Sequence, residues 1–271
     1  MAGCATLQSA LDALVAWCED NRMTLNVDKC LVISYHRKHQ PILFDYIING
    51  QKLKRVNQVT DLGVVMNHDL KFNAHYQYVT NKAFKTLGFL YRNTKEFKNP
   101  ASLKTLYCSL VRSSLEYCST LWSPGYQTYI IQIESVQRKF LRMLNFKLHH
   151  TTNNINYQEL METFNIQTLQ HRRDVADVVF LLKLIKNEIK CADVQGQLGF
   201  RTNNMNTRNK DIFTVLKSKT NIAQNSPLSR CMTLCNILAN PPFNIDVLNE
   251  SPASIKSKLL SLPSLHQVTD S

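Results

Sequence analysis

Apolar residues recur at positions 7, 11, 14, 15 and 18, the spacing of one helical stripe, and the pattern stops near Asn21. The period then changes. "CLVISYH" is dense in β-branched residues and predicts a largely buried strand over about 30–35. In "ILFDYIINGQKLKRV" two strand-like runs flank Asn49-Gly50, a pair that accepts positive φ, so a hairpin is expected there. "QVTDLGVVMN" predicts one further strand, in which Gly63 permits a bulge or a close backbone approach.

After Asp69 the helical period takes over. Across 74–92, Tyr76, Val79, Ala83, Leu87 and Leu90 share one face, while Lys82, Lys85 and Arg92 form a stripe on another. "NPASLKTLYCSLVRSSLEYCSTLW" reads as a helix with Asn99 as its cap and Pro100 in the first position, ending at Pro124-Gly125. A helix over about 127–144 carries Arg138, Lys139 and Arg142 near its C-terminal end, where cations suit the helix dipole. Helices over about 156–164 and 168–190 follow, and "SPLSRCMTLCNILAN" predicts one more, starting at Ser226 and Pro227.

These elements predict an α+β chain. A helix and a small antiparallel β-hairpin region fill 1–70, a basic helical region 71–150, and a helical extension 151–240. The Pro/Ser-rich stretch over 241–271 is expected to be a disordered tail with one short helix near 252–261.

Composition narrows the classes. Of the 271 residues 44% are hydrophobic, enough for one large domain or two ordinary ones. No apolar run approaches the roughly 18 residues of a membrane span. The N-terminus has no basic leader region, so an intracellular place, nucleus or cytoplasm, is expected. Eight cysteines are scattered without a Cys-x-x-Cys pair, which predicts buried reduced thiols and no metal site. His149-His150 and His171 also lack ligand spacing, and loop or surface roles are expected for them. Charge changes the picture most: residues 71–150 hold 12 Lys/Arg against 3 Asp/Glu, which points to a polyanion partner.

The order of motifs resembles the C-terminal part of a reverse transcriptase from a non-LTR retrotransposon (LINE class, jockey-like). "LVAWCEDNRMTLNVDKC" is similar to that family's helix with its Trp, followed by Asn-x-x-x-Leu-Asn and a lysine. "VTDLGVVMNHDLKF", "LYCSLVRSSLEYCSTLWSP", "IESVQRKFLRML" and "LQHRRDVADVVFLLKLI" resemble four further blocks in the same order, with a weaker echo in "NSPLSRCMTLCNIL". The resemblance covers roughly residues 5 to 190.

It implies the end of a palm, a thumb and a helical extension of an RNA-directed DNA polymerase. Lys29 matches a palm lysine thought to protonate leaving pyrophosphate, a general-acid role that exists only in an intact polymerase. "TDLGV" occupies the place of the primer-grip hairpin, where backbone near Gly63 approaches the primer; Asp61 departs from the bulky residue usual before Leu-Gly. Lys82, Lys85, Arg92, Lys95, Arg138, Lys139 and Arg142 would contact duplex phosphates on thumb helices. Lys82, Lys85, Arg138 and Arg142 fall on no predicted apolar face, so replacing these four is expected to spare the fold.

Two-metal nucleotidyl transfer needs clustered carboxylates. The family's aspartates lie upstream of the matched segment, and the one adjacent acidic pair here, Glu19-Asp20, sits on a predicted helix. The chain alone is therefore expected to be an inactive fragment without a cofactor, Mg²⁺ belonging to the missing catalytic part. Its expected partner is an RNA/DNA hybrid or other nucleic acid, with a protein partner over the palm face. The alternative is a retroelement-derived helical protein-interaction scaffold, its basic charge serving only solubility. Trp122, Tyr107, Tyr117 and Phe140 read as core, and Arg172-Arg173 either as an RNA contact or as the flank of a helix start.

Overall fold

A computed structural model describes residues 2–37, 41–149, 156–201 and 210–262. It divides into two compact units, Met1–Tyr78 and Val79–Ser271. The class is α+β: short strands in small sheets, then helices.

The first unit opens with α1 (Ala2–Asp20). A single 3₁₀ turn, Val27–Lys29, follows, in which the Asn26 side chain accepts from the Lys29 N–H at 3.3 Å. The strands are β1 (Leu31–Ile33), β2 (Ile47–Ile48), β3 (Gln51–Lys52), β4 (Lys54–Val56), β5 (Gln58–Asp61) and β6 (Val64–Asn67). The expected hairpin joins β2 to β3, and Asn49 and Gly50 take φ of 49° and 74°, the mirror-image turn that matches strand twist.

Two expectations change here. β1 is not largely buried: Leu31 is exposed, and the strand pairs with β4 in parallel, Leu31 opposite Lys54. "QVTDLGVVMN" holds two strands, not one, because Leu62 and Gly63 both adopt positive φ (44° and 82°) and turn the chain back, pairing Asp61 with Val64. Gly63 thus makes the turn rather than a bulge.

α1 docks on this layer through Gln8, whose side chain donates to the Ile47 carbonyl at 2.8 Å and accepts from the Ile47 N–H at 3.0 Å. One amide side chain satisfies both backbone groups at the β2 edge.

His75 is buried in this unit, and its Nδ1 accepts from the Val65 N–H at 3.2 Å. Burial pushes the imidazole down to about 4. An unfolded histidine titrates near 6.5, so below that pH the unfolded chain gains a proton that the folded one refuses. Stability is then complete above about pH 6.5 and falls as pH drops toward 4. The expected loss at about pH 5 is on the order of 1–2 kcal/mol. Melting curves of wild type and His75→Gln from neutral to mildly acid pH check this: the wild type should lose more. Parallel curves, or an NMR titration of His75 near its ordinary value, would contradict it.

α2 (Asn73–Asn93) carries the chain into the second unit. There follow α3 (Pro100–Leu106), a π-helical stretch (Tyr107–Arg112), α4 (Ser113–Glu116), α5 (Ser119–Trp122), α6 (Gln127–His149), α7 (Tyr157–Thr163), α8 (Leu169–Ile185), α9 (Ala192–Gln195), α10 (Asn221–Gln224), α11 (Pro227–Ala239) and α12 (Pro252–Ser261). Asn99 caps α3 as expected, its side chain accepting from the Ala101 N–H at 2.9 Å, but "NPASL…LW" is not one regular helix. The extra residue per turn over 107–112, then Cys118 at φ 54°, rotate its faces. That rotation buries Tyr107, Val111, Leu115 and Trp122 while Tyr117, expected in the core, stays 57% exposed.

α8 is the axis of this unit, with α11 and α12 packed on it around Val175, Val178, Leu181, Leu182, Cys231, Cys235, Leu238, Ile255 and Leu259. Asn187, at φ 58°, ends the turn that follows α8. The disordered tail expected from 241 is corrected for residues 241–262, where Val247, Ile255 and Leu259 are fully buried. Its Ser and Pro are helix-start signals: Ser251 accepts from the Ser254 N–H at 3.1 Å, and Pro252 takes the first helical position. Residues 263–271 lie outside the described residues.

Candidate nucleic-acid interface

Helix periodicity places the cations. In the second unit α2 buries Val79, Thr80, Ala83, Leu87 and Leu90, so 82, 85, 89 and 92 are left on the water side. Lys82, Lys85 and Arg92 are exposed there, with Phe89, also 56% exposed, in the same row. Lys95 is exposed just beyond the helix. α6 buries Ile133, Val136, Gln137, Phe140, Leu141 and Leu144, and Phe140 stacks on Tyr107 with ring centres 4.0 Å apart. This turns Arg138, Lys139 and Arg142 outward.

Two of these are not independent of the fold. Arg142 donates through Nε and Nη2 to the Tyr157 hydroxyl at 3.1 and 2.8 Å. The guanidinium carbons of Arg138 and Arg142 each lie 6.0 Å from the Tyr157 ring centre. Cation–π contact and hydrogen bonds hold α7 on α6, beside a groove of about 640 Å³ lined by Glu134, Gln137, Arg138 and Tyr157. The expectation that Lys82, Lys85, Arg138 and Arg142 can be replaced without touching the fold is corrected for Arg138 and Arg142.

The larger surprise lies inside. Arg172 forks onto Glu116, Nε meeting Oε1 and Nη2 meeting Oε2 at 3.0 Å, with Arg112 Nε 3.5 Å from Oε1. Arg230 donates to Asp177 Oδ2 at 2.6 Å and also to the Thr120 carbonyl at 2.6 Å. Arg173 is fully buried, its Nη2 donating to Gln170 Oε1 at 2.8 Å, while the Gln170 N–H donates to Glu134 at 2.8 Å and its side chain to Asp174 at 2.8 Å. Burial pushes the carboxyls of Glu134 and Asp177 up, against the pull of the arginines beside them. His171 is buried as well, its Nε2 2.9 Å from the Leu259 carbonyl, not on a loop or surface. Arg172 and Arg173 therefore hold the core together.

In the first unit Lys29 is exposed at the end of its 3₁₀ turn, directly before β1. Gly63 is exposed at the β5–β6 tip beside Leu62, which is 83% exposed and holds φ 44°, a conformation that costs energy for a residue with a Cβ. Asp61 is exposed there too. Glu19 and Asp20 are exposed at the end of α1.

Cys231 and Cys235 are fully buried, and burial pushes both thiols up, Cys235 to about 12, which keeps them protonated. Among the described residues no three His, Cys, Asp or Glu side chains gather as a metal site. Among them, too, no helix is long and apolar enough to cross a membrane. His150 and the side chain of His149 lie outside the described residues. No family model, curated protein or solved structure matches this chain.

Proposed function

We propose that this chain is the C-terminal part of a non-LTR retrotransposon reverse transcriptase whose residual activity is sequence-independent binding of an RNA/DNA duplex. One observation carries the reading. The carboxylates of Glu116, Glu134, Asp174 and Asp177 are turned inward against Arg112, Arg172, Arg173 and Arg230, so they do not offset the outward cations of α2 and α6. A surface of exposed Lys and Arg on rigid helices suits phosphates, which are spaced regularly and carry no sequence information. Lys29 has a role in proton transfer only where a metal-bound triphosphate faces it, as in an intact polymerase.

Binding to an RNA/DNA hybrid is expected to ignore sequence and to weaken steeply with salt. With about four to six phosphates neutralised, log K should fall against log salt with a slope of roughly −4 to −5. Replacing Lys82, Lys85 and Lys139 by Gln, which spares the Tyr157 contacts, should flatten the slope by up to about 2.7. An affinity that ignores salt, or an equal loss from replacing Lys256 on α12, would refute an interface on α2 and α6.

A second reading, a protein-interaction scaffold, is favoured by one observation. On α1, Leu7, Leu14 and Trp17 are 49%, 43% and 54% exposed at helical spacing, an apolar row of the kind that a partner covers.

A further inference from the structure

Where α2 ends, Tyr91, Phe97 and Phe146 are exposed by 45%, 46% and 41% around a cleft of about 460 Å³ in the second unit. Lys95, Lys98, Lys147 and Leu148 complete its lining, which among the described residues contains no carboxylate. Glu96 is exposed in the same turn but does not line it. We propose that this cleft takes one unpaired nucleotide of a bound strand, its base against the aromatic rings and its phosphate against Lys95 and Lys98. The inference rests on the nucleic-acid reading above and names the part of the ligand that the duplex-facing helices do not serve.

Three arguments lead there. The volume falls within the range of small-molecule sites, about 300–1,000 Å³, and suits a single nucleotide rather than a helix. Half-exposed aromatic rings leave large apolar faces in water, and the π-face of a base covers them whatever its identity. A paired base is already stacked and cannot enter, so the cleft selects unpaired nucleotides.

The third argument is electrostatic. The carbonyl end of a helix is negative and repels phosphate. Here Lys147 Nζ donates to the carbonyls of Thr94, Lys95 (3.3 Å) and Phe97 (3.5 Å), so α6 neutralises the end of α2 and fixes the turn. Lys95 and Lys98, both exposed, are left for the ligand. Arg92, on the outward row of α2, directly follows Tyr91. A strand leaving a duplex on α2 would reach the cleft within one residue of that row.

The test uses the whole chain and three probes: a blunt RNA/DNA hybrid, the same hybrid with a short single-stranded overhang carrying 2-aminopurine, and one whose overhang keeps its phosphates but lacks bases. The base-bearing overhang should bind roughly 5- to 150-fold more tightly than the abasic one, the range for stacking of one base, and its fluorescence should be quenched. Tyr91→Ala with Phe97→Ala should abolish that preference and leave blunt-hybrid affinity unchanged, while Phe97→Trp should keep it. Equal affinity of the wild type for base-bearing and abasic overhangs would overturn the cleft, and this comparison requires no variant to fold. Binding of the blunt hybrid with no overhang preference removes the cleft alone; no binding of any hybrid removes the duplex reading with it.

Discussion

Replacing Asp177 with alanine is expected to destabilise the second unit by about 3–5 kcal/mol. The side chain of Asp177 is 0% exposed and that of Arg230 13% exposed, so the variant strands a guanidinium where water cannot reach it freely. Burial has already pushed the Asp177 carboxyl up, yet Arg230 stands 2.6 Å away and holds it as the counter-ion. Removing the charge on one side only is the costly change. Arg230 also donates to the carbonyls of Thr120 and Asn225, which keeps it in place when its partner is lost. Asp177→Leu combined with Arg230→Met should therefore recover part of the loss, as when a buried pair is exchanged for apolar groups. Denaturant unfolding of the two variants and the wild type measures both numbers. A loss below about 1 kcal/mol for Asp177→Ala would mean that the pair contributes no more than a surface salt bridge.

Replacing Phe140 with alanine is expected to cost about 3–5 kcal/mol, in the range for a buried aromatic. Phe140 is fully buried on α6 and lies face to face on Tyr107, which sits in the π-helical stretch. Tyr107 in turn donates to Gln137 at 3.1 Å, and Gln137 donates to the Gln167 carbonyl at 2.9 Å. One ring thus joins the rotated helix 107–112 to α6 and to the start of α8. Phe140 also lies between Lys139 and Arg142, so its anchorage sets which way that basic face points. Phe140→Leu should cost less than Phe140→Ala, because it leaves a smaller cavity. Melting temperature is the simplest check, with a shift on the order of 10 °C for alanine in a unit of this size. A shift of only a degree or two would show that the site collapses around the missing ring.

Period and turn chemistry were local, and they were legible. Tyr76, Val79, Ala83, Leu87 and Leu90 are buried along α2 as their spacing predicts, and each follows from a repeat that the chain carries within a few residues. The Asn49-Gly50 hairpin, the Asn99 cap and the Pro227 helix start were visible for the same reason. So was the outward row of Lys82, Lys85 and Arg92, because a polar stripe is the complement of an apolar one. The hairpin at Leu62-Gly63 was less legible: leucine rarely takes positive φ, and its dipeptide carries a weak turn signal.

Partners far apart in sequence were not legible. Glu116 and Arg172 are 56 residues apart and Asp177 and Arg230 53 apart, and a charged side chain on a helix looks the same whether it faces water or an opposite charge. The same holds for Arg142 on Tyr157, and for Lys147 on the end of α2. Sequence by itself determined the long helices α1, α2, α6, α8 and α11, the Asn49-Gly50 turn and the concentration of positive charge over 71–150, since each depends on neighbours along the chain. Tertiary structure alone decided which charges are spent inside, which remain outside, and where three half-exposed rings meet around a cleft. Burial and pairing depend on elements brought together by folding, and no local period encodes them.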